Sequence, residues 1–167
     1  MKEANKIRRG VIDDLPQVTR IYNDSITSGY STCDLVQRST VDRIRWFQQF
    51  SDRYPLWVYE TNKKVVGYAC LFPWSLKAGY KSTVEDAVYI SKEYQNKGIG
   101  TALLKHLLIF CEKANYHLIL ARVFSKNPAS IRLHIANGFE KVGHLKEVAN
   151  IKDQFEDIEI YSKIIQC

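Results

Sequence analysis

The chain has 167 residues, enough for one domain around one apolar core, and nothing in its composition marks a second. With 46% apolar and 25% charged residues it reads as globular, and no apolar run nears the ~18 residues that span a bilayer, so a membrane protein is not expected. The net charge of +6 comes from Lys and Arg interleaved with Asp and Glu, with no cationic run and no nucleic-acid motif; this argues against nucleic acid as the partner and is compatible with a polyanionic small molecule.

Met1 to Ile12 is polar and lacks the apolar stretch of a secretory leader, so the cytoplasm is the expected location. Within it, Lys6 to Ile12 reads as a first strand. Asp13 or Asp14 then caps a helix whose apolar positions Leu15, Val18, Ile21, Tyr22 and Ile26 recur at helical spacing, and Gly29 closes it. Tyr30 to Arg38 has no period and is expected as a loop. Ser39 or Thr40 caps a second helix through Val41, Ile44, Trp46, Phe47 and Phe50. Leu56 to Glu60 and Val65 to Phe72 are β-branched and aromatic runs around a polar turn, the pattern of a hairpin, and Pro73 to Lys81 follows as an exposed loop.

Thr83 to Ile90 is the next strand. Its period of two puts Val84, Asp86, Val88 and Ile90 on one face and Glu85, Ala87 and Tyr89 on the other. From Ile99 to Ala114, residues Leu103, Leu104, Leu107, Leu108, Phe110 and Cys111 mark a long helix packed on the sheet. Leu118 to Phe124 is a strand, and Pro128 opens a helix that ends around Asn137 and Gly138. Phe139 to Leu145 and Phe155 to Ile165 are the last strands. Antiparallel strands followed by alternating strand and helix predict a single mixed α/β domain over 1–167. The four cysteines, Cys33, Cys70, Cys111 and Cys167, lie far apart without a C-x-x-C pair, so they are expected as reduced, mostly buried thiols, with no metal site.

Gln95-Asn96-Lys97-Gly98-Ile99-Gly100 lies between a strand and a long helix, where free backbone N–H groups and the helix dipole can hold a phosphate. A Gly-x-Gly turn alone is also what a tight strand-to-helix connection needs. The segment lacks the third glycine and acidic residue of a dinucleotide fingerprint and the Gly-Lys-Ser/Thr of a nucleotide loop.

The order Val88-Tyr89-Ile90, then Gln95-x-x-Gly98-x-Gly100, then Thr101-Ala102-Leu103-Leu104 resembles the pyrophosphate-binding motif of the GNAT superfamily of N-acetyltransferases. Asn127-Pro128-Ala129-Ser130 and Asn137-Gly138-Phe139 resemble its second signature. Four further segments, Ile7-Arg8-Arg9, Ile21-Tyr22-Asn23, Gly79 to Glu85 and Ser130 to His134, look like the phosphinothricin and methionine sulfoximine N-acetyltransferase family within it. The resemblance implies a central, mostly antiparallel mixed sheet flanked by helices, and acetyl-CoA as cofactor. It implies that Val88, Tyr89, Ile90, Gln95, Asn96, Lys97, Gly98, Ile99, Gly100, Thr101, Asn127 and Ser130 hold that cofactor. It also implies a homodimer and a small glutamate-like compound as the amine to be acetylated.

An amine attacks only when neutral, and with an unperturbed pKa of about 8 to 10 it is mostly protonated at neutral pH, so a base is needed. Glu85 is the candidate, directly or through a water, and the resemblance places its catalytic glutamate there; Asp86 faces the other way. A backbone N–H between Val88 and Ile90 can stabilise charge on the thioester oxygen. His134 stands where most of the superfamily has tyrosine. It either gives a proton to the departing thiolate or merely sits beside the cofactor. His106, His117 and His144 have no partner suggested by spacing and are read as structural.

Substrate choice is expected in the loops at Tyr30 to Asp34 and Pro73 to Lys81, with Tyr30, Cys33, Trp74, Lys77, Tyr80 and Lys81 as candidate contacts. Both loops depart from the resembling family: Cys33 stands where an aromatic is usual, and Trp74, Ser75, Lys77 and Lys81 where arginines are. Lysine attracts an anion but lacks the planar fork of arginine; alternatively Lys77 and Lys81 are solvated loop charges. Acetylation of a protein N-terminus or lysine, or acyl-CoA binding without catalysis, are the other readings at this stage.

Overall fold

One seven-stranded mixed sheet runs through the protein, whose computed structural model describes residues 5–165. In chain order come β1 (Asn5–Arg9), α1 (Leu15–Ser28), α2 (Thr40–Phe47), β2 (Leu56–Thr61), β3 (Lys64–Pro73), β4 (Thr83–Ile90), α3 (Ile99–Lys113), β5 (Leu118–Phe124), α4 (Pro128–Ala136), β6 (Glu140–Ile151) and β7 (Gln154–Ile164). The strand order is β1-β2-β3-β4-β5-β7-β6, and only the β4–β5 pair is parallel. No helix among the described residues is long and apolar enough to cross a membrane.

Local chemistry accounts for the boundaries. Strand β1 stops at Arg9, short of the expected Ile12, because the chain turns at Ile12–Asp14, where Asp14 Oδ2 accepts from the Val11 N–H at 2.8 Å and from Arg8 at 2.7 Å. Helix α1 ends at Gly29, whose φ of 101° no β-carbon would favour. Ser39 caps α2, with Asp42 completing a capping box, and the helix ends at Phe47, so Phe50 packs from the following turn. Strand β6 runs past the expected Leu145 to Ile151. A bulge at Glu147 (φ 53°) shifts the register, and Lys152 and Asp153, both with positive φ, turn the chain into β7.

The alternation along β4 divides the core. Val84, Val88 and Ile90 pack with Leu103, Leu104 and Leu107 of α3 on one face, while Ala87 and Tyr89 pack with Val18 and Ile21 of α1 and Trp46 of α2 on the other. Pairing between β4 and β5 covers only Thr83–Leu118, Val84–Ile119 and Glu85–Leu120. Beyond Glu85 the strands part: β4 continues along β3 to Ile90, and β5 continues along β7 to Phe124. The edge of β4 from Asp86 to Ile90 that faces β5 therefore lacks a strand partner.

Candidate active site

The split between β4 and β5 opens toward the loop Gln95 to Gly100. Gly98, the residue before α3, has φ 79° and ψ −2°, a left-handed conformation that glycine adopts without cost, and a β-carbon there would meet nothing within 4 Å. No side chain caps α3, so the N–H groups of Ile99, Gly100 and Thr101 have no side-chain partner at the positive end of a 15-residue helix. Gln95 Nε2 donates to the Ile90 carbonyl at 3.2 Å, latching the loop to the end of β4, and the Lys97 ammonium lies 4.9 Å from the Tyr94 ring centre. A mobile pyrophosphate would find main-chain donors, a cation and open space here. Gln95 and Gly100 of the expected loop thus lie beside Ile90 at the end of β4.

Asn127 is positioned differently from expectation. Its Oδ1 accepts from the Ser130 N–H at 3.0 Å as the cap of α4, and its Nδ2 donates to the Tyr30 carbonyl at 2.8 Å. Both ends of the amide are spent within the chain, tying the α1–α2 connection to the start of α4.

Glu85 sits on the α1 and α2 face, opposite Phe72 of β3. Its Oε1 accepts from Arg122 Nε at 2.6 Å. The Glu85 hydrogen bond is the main cause that holds the Arg122 guanidinium above its ordinary pKa. Arg122 escaped the sequence reading because its position on β5 gives no sign of which β4 residue lies beside it.

Asp86, one residue on, points the other way and is buried against His134. His134 Nε2 lies 3.3 Å from both carboxylate oxygens, and Nδ1 lies 2.8 Å from the Ser130 carbonyl. Both nitrogens lie near acceptors, an arrangement that the doubly protonated imidazolium satisfies. Burial pulls its pKa down, but the hydrogen bond and charge of Asp86 and the Ser130 carbonyl outweigh burial and leave it raised. The ring is 3% exposed and packs edge-on to Phe139 at 5.0 Å. His134 is thus built as a brace between β4 and α4. Of the other histidines, His144 does find a partner, Asp157, at 2.9 Å across the β6–β7 hairpin.

On the face that carries Glu85, a cavity of about 360 Å³ lies between α2 and the sheet. Tyr22, Arg43, Trp46, Tyr68, Phe72, Ala87 and Tyr89 are among its lining residues. Asp34 at its mouth accepts from Tyr22 Oη at 2.6 Å and from Arg38 Nε at 2.8 Å, and burial together with this bond pushes the Tyr22 phenol up to about 12. None of the six residues expected to contact substrate is in this wall. Tyr30 packs edge-on to Phe124, Cys33 is an exposed thiol, Trp74 is half-buried, and Lys77, Tyr80 and Lys81 are exposed on the β3–β4 connection. That connection coils into a turn at Ala78–Tyr80 and adds no residue to the wall, which comes from α1, α2, β3, β4 and the connection between the two helices. The sequence signal that was missed is Arg43, a charge in line with Trp46 and Phe47 on the apolar face of α2 and with Phe50 just beyond it. Cys70 and Cys111 are buried as expected, and Cys167 lies outside the described residues.

A split sheet with helix-terminal amides beyond it and a carboxylate at its base suits transfer from a pyrophosphate-bearing acyl carrier. Residues 15–139 match the model of the acetyltransferase (GNAT) family, and the chain belongs to that family. It is an acetyltransferase, and acetyl-CoA, the family's cofactor, fits the uncapped loop. The chain is 32% identical over 136 residues to the L-methionine sulfoximine/L-methionine sulfone acetyltransferase of Salmonella typhimurium, covering 81% of this chain and 80% of that one. It is 34% identical over 138 residues to the phosphinothricin N-acetyltransferase of Alcaligenes faecalis, covering 81% and 70%. The crystal structure of a GNAT superfamily phosphinothricin acetyltransferase from Sinorhizobium meliloti in complex with acetyl-CoA superposes with a TM-score of 0.92 at 29% identity, covering 99% of this chain and 89% of that one.

Proposed function

We propose that the protein acetylates the amine of a small amino-acid-like compound of the phosphinothricin or methionine sulfoximine kind, with Glu85 as general base. The observation that carries this reading is that one strand serves both sides of the reaction. Val88 to Ile90 of β4 border the cleft beneath the amide-lined loop, while Ala87 and Tyr89 of the same strand line a cavity of a size for a small molecule. Acetyl-CoA, when bound, supplies the thioester. The loop amides and Lys97 hold its pyrophosphate, and an unpaired N–H on the β4 edge stabilises the charge that grows on the acyl oxygen. Glu85 takes the amine proton directly or through one water, and Arg122 fixes the carboxylate in place at Oε1. His134 and Asp86 hold α4 against β4 behind this site rather than reaching the reactants.

The test is Glu85→Gln, which keeps the shape and removes the base. Thiol release at saturating amine should fall roughly a hundredfold or more. Unchanged turnover would overturn the assignment. An acetylation screen over amino acids, phosphinothricin, methionine sulfoximine, polyamines and peptides identifies the acceptor class; activity confined to peptides would replace this reading with protein N-acetylation. The family resemblance also carries a homodimer, and the exposed apolar side chains of β6 and β7, Val142, Val148 and Phe155, are the surface we assign to it.

A further inference from the structure

Arg43 is 3% exposed, yet its Nε and Nη2 are buried with no hydrogen-bond partner, and among the described residues no carboxylate forms an ion pair with it. Its guanidinium lies over Trp46 at 3.4 Å and Tyr22 at 4.6 Å from the ring centres, which fixes its plane and offsets part of its charge without satisfying its N–H groups. Tyr68, which lines the same cavity, has a buried hydroxyl that is likewise unpartnered, its ring stacked on Tyr89 at 5.1 Å. The two aspartates of the cavity wall are already engaged: Asp34 by Tyr22 and Arg38, Asp42 by the N–H and hydroxyl of Ser39 at 3.1 and 2.7 Å.

A buried guanidinium without an anion, beside a buried phenol without an acceptor, is costly, and such groups persist where a ligand completes them. Both are donors, so the missing partner is an acceptor, and the fork of a guanidinium matches an oxyanion with two oxygens. We propose that Arg43, assisted by Tyr68, binds an oxyanion of the acceptor, a carboxylate or phosphinate, and so selects anionic amines over neutral ones. This rests on the proposed function for the presence of an amine acceptor, and it moves anion recognition from Lys77 and Lys81 of the β3–β4 connection to α2.

The experiment has a binding arm and a kinetic arm. Titrating the free protein with phosphinothricin should change Trp46 fluorescence and raise Tm, and both responses should be lost in Arg43→Met, whose own Tm should not fall because it sheds an uncompensated buried charge. In turnover, Arg43→Gln should raise KM for phosphinothricin at least tenfold with a much smaller fall in kcat and no change in KM for acetyl-CoA, and Arg43→Lys should recover part of the loss. Repeating this with the phosphinothricin α-amide and with methionine sulfone shows which oxyanion is sensed: the compound on which wild type and variant no longer differ lacks the group that Arg43 binds. A KM ratio that stays the same across all three compounds, or a phosphinothricin Tm rise that survives Arg43→Met, overturns the inference. If no amine is acetylated but the fluorescence and Tm responses still depend on Arg43, the proposed function fails and the oxyanion site stands.

Discussion

Glu85 and Asp86 are adjacent carboxylates with opposite surroundings, because a strand turns successive side chains to opposite faces. Glu85 meets Arg122 with its own side chain 15% exposed, and Asp86 meets His134 in the core. Since His134 has its pKa raised on folding, the pair's stabilisation is complete below the ordinary histidine value of about 6.5 and is lost as pH rises through the higher folded value. Thermal unfolding should therefore show stability falling as pH rises above about 6.5, and Asp86→Asn should flatten that dependence at a cost of about 1 to 3 kcal/mol for the weakened buried bond. A pH-independent difference between the two proteins would refute the imidazolium. Glu85 was legible in the sequence because strand period and the neighbouring motif both point to it. Arg122 and Arg43 were not, since only the sheet register sets Arg122 beside Glu85 and only the packing of α2 buries Arg43.

At the scale of elements, strands and helices were legible wherever a single periodicity ran between clear breaks, as in β5 and α3. The longer β6 was hidden because its outer half is polar and its bulge at Glu147 interrupts the alternation. The glycine loop was readable for a geometric reason: Gly98 is left-handed where the chain enters the first turn of α3. Gly98→Val should cost about 1 to 2 kcal/mol, lower Tm by a few degrees, and weaken acetyl-CoA binding more than tenfold by calorimetry. Retained affinity would mean that the helix-terminal amides are not the pyrophosphate site. Divergence in sequence drew attention to Lys77 and Lys81, whereas the cavity is walled by α1, α2, β3, β4 and the connection between the two helices.

For the molecule as a whole, the sheet ends in β6, a strand paired on one side only that exposes Val142 at 59% and Val148 at 55%. Val142→Glu should convert a dimer to a folded monomer in sedimentation, while a wild-type monomer at micromolar concentration would remove that assignment. In the middle of the sheet stands the last rung shared by β4 and β5, Glu85–Leu120. Any widening of the sheet to admit and release a long nucleotide-bearing carrier is a lever motion whose displacement grows with distance from the paired residues Thr83 to Glu85. Glu85, which we propose as the proton acceptor, is mounted at that last rung, where such a displacement is smallest.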